Sequence, residues 1–232
     1  MKQYTKLESV HSFLVGSQLY GLINTLSDYD YLYLVENINT LSSDKLDIIL
    51  SNKDIELKSF QQFKDDLYRH DLKCLEVYFN YYNQIISIFP DLIYGKGFII
   101  VNDALRRSVS SVASNSNVKA KKKIAQGDVY VGRKSFYHSY RILYMYTKLI
   151  DNSLSPVVYL NSNPIVNALN YTSDAVQAHL RDVYTDIVLS QQEDLTTLYP
   201  RLKAKYDAPM KELIHTLRIN CPLDKDKNKE QK

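Results

Sequence analysis

The segment between Phe13 and Val35 constrains the fold more than any other part of the chain. An apolar run leads into Gly16-Ser17, ten residues follow, and Asp28 and Asp30 then border an apolar stretch typical of a strand. Residues two apart on a strand point to one face, so both carboxylates are predicted to share a face. Two carboxylates that close repel each other, and a divalent cation with oxygen ligands relieves the repulsion. The segment therefore predicts a Mg²⁺ or Mn²⁺ site near a glycine turn.

This order of strand, Gly-Ser, short helix and Asp-x-Asp strand resembles the signature of the DNA polymerase β-like nucleotidyltransferase superfamily. In that family the Gly-Ser backbone and hydroxyl hold the nucleotide's phosphates, and the aspartates bind two metal ions. The resemblance implies nucleotide binding by Gly16 and Ser17, and catalysis and metal binding by Asp28 and Asp30. It also implies an α+β fold, with a mixed-sheet core followed by a helical domain. A glycine permits close backbone approach, and N–H groups at a helix start attract anions.

The family usually supplies a third carboxylate from a neighbouring strand. The segment Lys53 to Lys58 offers Asp54 and Glu56, and Glu56 stands between apolar residues as the family's third acid does. We expect Glu56 to complete the catalytic metal site, with Asp54 as the alternative. A second interpretation is that Glu56 only caps the first turn of the following helix, where a carboxylate also suits the dipole.

A narrower group within the superfamily is similar over residues 10–80 and, more loosely, 115–150. It comprises predicted nucleotidyltransferases found in phages and near bacterial RNA-repair functions. The motifs that carry this similarity, besides Gly-Ser and Ser-Asp-x-Asp, are Tyr20-Gly21, Ile55 to Phe60, Leu75-Glu76 and Lys134 to Arg141. The group implies a reaction class and leaves the acceptor open.

Basic residues outside this core form two sets. Lys134, His138 and Arg141 recur at helical spacing and share one face, which suits the triphosphate of a bound nucleotide. The candidate contacts to a nucleic-acid backbone are Lys119, Lys121, Lys122, Lys123 and Arg133. The alternative for both sets is a solvated helix surface. Tyr137, Tyr140 and Tyr144 also recur at helical spacing and are predicted to be core residues.

The pattern along the chain predicts a core at residues 1–95, a helical domain at 96–222 and a disordered charged tail at 223–232. The predicted strands are His11–Val15, Tyr29–Val35 and Ile55–Leu57. The predicted helices are Thr5–Val10, Gln18–Asn24, Leu57–Leu67, Leu75–Tyr82, Val101–Ala113, Ser135–Leu149, Ala175–Leu189 and Pro209–Leu217. The serines at 108–116 predict a flexible loop, and Arg106-Arg107 a surface pair.

Composition and charge limit which functions and which cellular compartments fit this sequence. A net charge of +3 over 232 residues does not by itself establish nucleic-acid binding. The two cysteines lack metal-ligand spacing, Cys74 falls in an apolar pattern that predicts burial, and a reducing cytoplasm fits. No apolar run is long enough for a membrane span. The 20 tyrosines fit either the codon bias of an AT-rich genome or base stacking.

The expected reaction is transfer of an NMP from an NTP to a hydroxyl acceptor, with release of pyrophosphate. The first expectation for the acceptor is an RNA end such as a tRNA 3′ end. Nucleotidylation of a partner protein is the alternative within the same chemistry. A rival from another class is a non-catalytic, antitoxin-like or regulatory module that holds a nucleotide without turnover.

Overall fold

The computed structural model describes residues 10–16, 30–37, 55–93, 95–150, 174–190 and 195–221. The chain divides into two compact units, Met1–Phe89 and Pro90–Lys232. Its described part is an α+β fold with one small sheet and mostly helical content. None of the described helices is both long enough and apolar enough to cross a bilayer.

The first unit contains a three-stranded mixed sheet. The strands are β1 (Val10–Val15), β2 (Asp30–Val35) and β3 (Ile55–Ser59), in the order β1-β2-β3. β1 runs antiparallel to β2, and β2 runs parallel to β3. The three predicted strands and the mixed sheet are confirmed, with β3 extending past Leu57.

Three helices follow the sheet in the first unit: α1 (Phe60–Tyr68), α2 (Leu72–Asn80) and α3 (Tyr82–Ile88). Ser59 begins α1 with a capping box, since its side chain accepts from the backbone N–H of Gln62 and the Gln62 side chain accepts from the Ser59 N–H. α1 therefore starts at Phe60, three residues later than the spacing from Leu57 predicts. Cys74 on α2 is fully buried, as predicted.

The second unit is helical. After a 3₁₀ turn at Pro90–Leu92 come α4 (Asn102–Ala125), α5 (Val129–Ile150), α6 (Asp174–Tyr184), a π-helical turn (Thr185–Leu189) and α7 (Leu195–Asn220). α4, α5 and α7 pack against one another, and α6 packs on α5. α5 is buried on most of its surface. Tyr137 and Tyr140 lie in the core as predicted, whereas Tyr144 is only partly buried.

Three helices, α4, α5 and α7, are longer than their patterns predict, and α5 begins at Val129, six residues before the predicted start. The serine segment 108–116 is helical within α4, so the flexible-loop prediction is wrong, because Val109 and Ala113 are buried against neighbouring helices. α7 begins at Leu195 and includes Pro209 within it. Val10 belongs to β1, so the helix predicted up to that residue does not extend through it. Three further predictions lie outside the described residues: the remainder of the Thr5–Val10 helix, the Gln18–Asn24 helix and the charged tail.

Candidate active site

The best-defined part of the candidate site is the meeting of Gly16 with Asp30. Val15 ends β1 opposite Asp30, the first residue of β2. Gly16 follows with φ of 72°, a conformation that favours glycine. A Cβ added to Gly16 would overlap the Asp30 carboxylate, whose Cγ would lie only 3.1 Å away. Glycine is therefore required there both by its backbone conformation and by the contact.

The end of β1 is held in place by contacts with Tyr81, the residue between α2 and α3. Phe13 and Val15 are each 1% exposed. The Tyr81 hydroxyl donates to the backbone carbonyl of Leu14 at 2.9 Å, and the Tyr81 ring packs edge-on to Phe13 at 5.2 Å between centroids. These contacts fix the strand immediately before Gly16, so the glycine turn is held in place beside Asp30.

Glu56 lies on the same sheet face as Asp30. Leu32 is opposite Glu56 in the parallel register, and Leu32 and Asp30 are two apart on β2. From the strand spacing, the Cα atoms of Asp30 and Glu56 are about 8 Å apart. The interpretation of Glu56 as a helix cap is wrong, because Ser59 caps α1.

The Glu56 carboxylate is engaged by two ammonium groups. Lys73 of α2 donates to Oε2, and the Lys58 Nζ lies 3.1 Å from Oε1. Lys58 also donates to Asp66 at 2.5 Å, and the exposed Arg69 pairs with Asp66. A network of alternating positive and negative side chains thus joins β3 to α1 and α2.

The charged groups of this network shift one another's pKa values. Partial burial acts to raise the pKa of Glu56, but hydrogen bonds and charges from Lys73 and Lys58 outweigh it and lower the pKa. The same balance lowers the pKa of Asp66, where burial is outweighed by Lys58 and Arg69. Burial would lower the pKa of Lys58, yet its acidic partners raise it. All three groups are therefore held in their charged forms at neutral pH.

The residues present suit a divalent cation in part. Asp30 offers carboxylate oxygens beside a residue without a side chain, and such oxygens are the ligands that Mg²⁺ prefers. Glu56 would have to exchange its lysine partners before it coordinated a cation. No cluster of three or more His, Cys, Asp or Glu residues within the described ranges is placed to hold a metal. Ser17, Asp28 and Asp54 lie outside those ranges.

The predicted nucleotide-binding face lies on α5. Arg141 is only 5% exposed, so a solvated surface does not describe it. Its guanidinium donates to Nδ1 of His138 at 3.1 Å and to the sulfur of Met145 at 3.5 Å. Because Nδ1 accepts, the neutral His138 ring carries its proton on Nε2.

His138 sits in a positive environment. Burial is the first cause that lowers its pKa, and the charges of Arg141, Lys119 and Lys134 lower it further, to about 3. Lys119 of α4 and Lys134 and Arg141 of α5 therefore act on one neutral imidazole. This cluster is a concentration of positive charge in the helical unit, of the kind that attracts phosphate groups.

The structure does not place all the proposed nucleic-acid contacts on one surface. Lys119, Lys121 and Lys122 are exposed on α4, and Lys123 pairs with Asp128 at 3.1 Å. Arg133 is 4% exposed and donates to the carbonyl and hydroxyl oxygens of Ser190 at 2.6 and 2.9 Å. Arg133 therefore braces α5 against the π-helical turn, apart from the exposed lysines.

Sequence reasoning missed three contributors to this site. Lys58 and Lys73 as partners of Glu56, and Tyr81 as the anchor of β1, were not anticipated. The position of Lys58 two residues after Glu56 on a strand was the one available signal, since it places both side chains on one face. The partnerships of Lys73 and Tyr81 depend on how helices pack on the sheet.

The chain matches no protein-family model, no curated protein and no solved structure. Its candidate function therefore depends on the chemistry of its own residues.

Proposed function

We propose that this chain is a divalent-metal-dependent nucleotidyltransferase that moves an NMP from an NTP to a hydroxyl acceptor and releases pyrophosphate. One observation carries the proposal: the Asp30 carboxylate lies against the side-chain-free Gly16 at adjoining strand ends. An acidic ligand and a glycine backbone without a side chain are what a metal-bound triphosphate needs at one point.

Each residue has a distinct part in this proposal. The backbone at Gly16 and the Ser17 hydroxyl bind phosphate oxygens, and Asp28 and Asp30 hold Mg²⁺ or Mn²⁺. When bound, the cation supplies charge stabilisation to the triphosphate and favours deprotonation of the acceptor hydroxyl. Glu56, or Asp54 in its place, completes the acidic set. The network around Glu56 keeps that carboxylate ionised at neutral pH, and a cation would have to displace its lysine partners.

The helical unit has its own concentration of positive charge. Lys134, His138 and Arg141 are proposed to bind nucleotide phosphate groups, with Arg141 and neutral His138 fixed by their mutual hydrogen bond. The exposed Lys119, Lys121 and Lys122, together with Lys123, are proposed to attract the backbone of an RNA acceptor. An RNA end is the acceptor that this exposed positive surface favours.

The test combines all four NTPs, each labelled at the α-phosphate, with total RNA and a cell extract in the presence of Mg²⁺. Label in RNA that resists protease and yields to ribonuclease supports an RNA acceptor. Label in protein that resists ribonuclease supports protein nucleotidylation. Transfer of label from the γ-phosphate instead would show kinase chemistry and contradict the proposal.

A second candidate is a nucleotide-binding module without turnover. The observation that favours it is the occupation of the Glu56 carboxylate by Lys73 and Lys58, since an acid held by two ammonium groups is a poor metal ligand. This candidate predicts NTP binding without pyrophosphate release. Lys73→Met, which frees one oxygen of Glu56, would then give no activity either, whereas an enzyme with a competing lysine would keep or gain activity.

A further inference from the structure

A cavity of about 490 Å³ lies within the helical unit, between α4, α5 and α7. Its size falls in the range of pockets that hold small organic ligands. All the residues that line it belong to Pro90–Lys232, so it contains none of Gly16, Asp30 or Glu56. It also excludes Lys134, His138 and Arg141, and is therefore a separate site from the proposed nucleotide-binding face.

The α4 wall of the cavity is polar. Its lining includes Arg106, Arg107, Ser110, Ser114 and Asn117, which recur at helical spacing along one face. The Tyr199 hydroxyl donates to Oδ1 of Asn117 at 3.1 Å, which leaves the amide N–H₂ group of Asn117 as a donor. From the helical rise of 1.5 Å per residue, the hydroxyl and amide groups from Ser110 to Asn117 therefore run for about 10 Å along the cavity.

The α7 and α5 walls are mostly apolar. Met210 and Ile214 of α7 and Leu143 of α5 line the cavity opposite the polar face. Ser139 of α5 also lines it, but its hydroxyl is committed to the Ala113 carbonyl at 2.7 Å. A ligand here meets a hydrophobic surface on one side and donors on the other.

Three arginines stand at one end of the cavity, and no carboxylate is among its lining residues in the described chain. Arg106 is 8% exposed and its Nη1 donates to the neutral carbonyl of Cys221 at 3.0 Å, which holds the guanidinium in place. Arg218 of α7 is exposed. Arg107 pairs with Asp103, so part of its charge is neutralised.

We propose that this cavity binds a small organic phosphate of mononucleotide size. The phosphate lies at the arginine end, where guanidinium groups form charge-assisted hydrogen bonds, and the remaining part of the ligand lies between Met210, Ile214 and the polar face of α4. The inference does not depend on the proposed catalytic function, because it uses no residue of that site.

The test is calorimetric titration of the full chain with AMP in EDTA, which removes divalent cations. We expect saturable binding that weakens as salt increases. Arg218→Gln should weaken it about tenfold, the effect of losing about 1.4 kcal/mol of charge-assisted contact. Ser114→Tyr should abolish it, since Ser114 is exposed on α4 and a large side chain there fills the cavity without entering the core. Lys211→Gln is the matched control, because it removes one charge from the exposed surface of α7 outside the cavity.

Three further titrations decide the ligand class and the location. Adenosine should bind far more weakly than AMP, and inorganic phosphate should also bind more weakly. Asp30→Asn should leave AMP binding unchanged. The inference is overturned if AMP does not bind at millimolar concentration, or if adenosine or inorganic phosphate binds as tightly as AMP. It is also overturned if Asp30→Asn removes AMP binding, or if Arg218→Gln and Ser114→Tyr have no effect.

Discussion

The carboxylate of Asp30 lies in the space that a side chain on Gly16 would occupy. The contact joins the end of β1 to the start of β2, and it occurs where the glycine backbone has a positive φ. In the proposed function, this pairing places an acidic metal ligand beside a backbone that a phosphate group can approach closely.

Gly16→Ala should destabilise the protein by about 2–4 kcal/mol, because alanine strains the backbone at positive φ and overlaps the Asp30 carboxylate. Urea denaturation measures the loss. Gly127→Ala is the matched control, since Gly127 has φ of 82° but an added Cβ there would meet nothing within 4 Å. It reports the backbone cost alone, about 1 kcal/mol. Equal losses for the two variants would show that the contact with Asp30 contributes nothing.

Asp66→Asn should lower the free energy of unfolding by about 1–3 kcal/mol, because it removes a charged partner from Lys58, whose side chain is only 13% exposed. Asp65→Asn on the exposed face of α1 is the control and should have little effect. The pKa of Asp66 is lowered in the folded protein, so its contribution exists above the unfolded pKa and disappears as the pH falls through the folded one. The difference between Asp66→Asn and the wild type should therefore shrink in strong acid.

His138 makes stability depend on pH in a different window. Its folded pKa is lowered to about 3, so below about pH 6.5 the unfolded chain binds a proton that the folded chain does not. Stability should fall on acidification, by up to about 1.4 kcal/mol per pH unit from this group. His138→Gln removes the titration and should flatten thermal-melting data between pH 6.5 and 5. The exposed His215→Gln is the control, and a parallel slope in His138→Gln would contradict the assignment.

Gly132→Ala tests whether helix propensity or side-chain packing has the larger effect on stability at this position of α5. Alanine is the better helix former by about 1 kcal/mol, and on an isolated helix it would stabilise α5. In the protein its Cβ would lie 2.5 Å from Cγ1 of Ile124 and 3.2 Å from the Ala120 carbonyl oxygen. We expect net destabilisation of about 1–2 kcal/mol by overpacking of α4 on α5. If chemical denaturation shows a gain in stability, α4 shifts to accommodate the added Cβ at little energetic cost.

The sheet was largely predictable from sequence, because strand alternation is a local signal. The alternation of apolar side chains around Leu32 and Leu34 places Asp30 at the strand start and on the buried face. The mixed order of the sheet was implied by the family resemblance. The Gly16–Asp30 contact itself follows from the register, which pairs Val15 with Asp30 and cannot be read from either strand alone.

The helical unit was less predictable, because packing overrides local preference there. The serine-rich part of α4 has weak helix propensity and is stabilised by burial of Val109 and Ala113. The early start of α7 had a signal in Leu198, Leu202 and Tyr206, which recur every four residues and are buried. Arg106 was predicted at the surface, and its burial depends on a contact with Cys221 that is 115 residues distant.

The most direct test of the catalytic proposal compares the wild type with Asp30→Asn in Mg²⁺-dependent transfer of α-phosphate label from an NTP. Asparagine keeps the size of the side chain beside Gly16 but removes its charge, so the fold should persist, as circular dichroism can verify. We predict that wild-type protein releases pyrophosphate with labelled acceptor, and that Asp30→Asn loses at least about 10³-fold of that rate, the scale of a lost electrostatic catalytic group. A folded Asp30→Asn variant that transfers label at the wild-type rate would contradict the account.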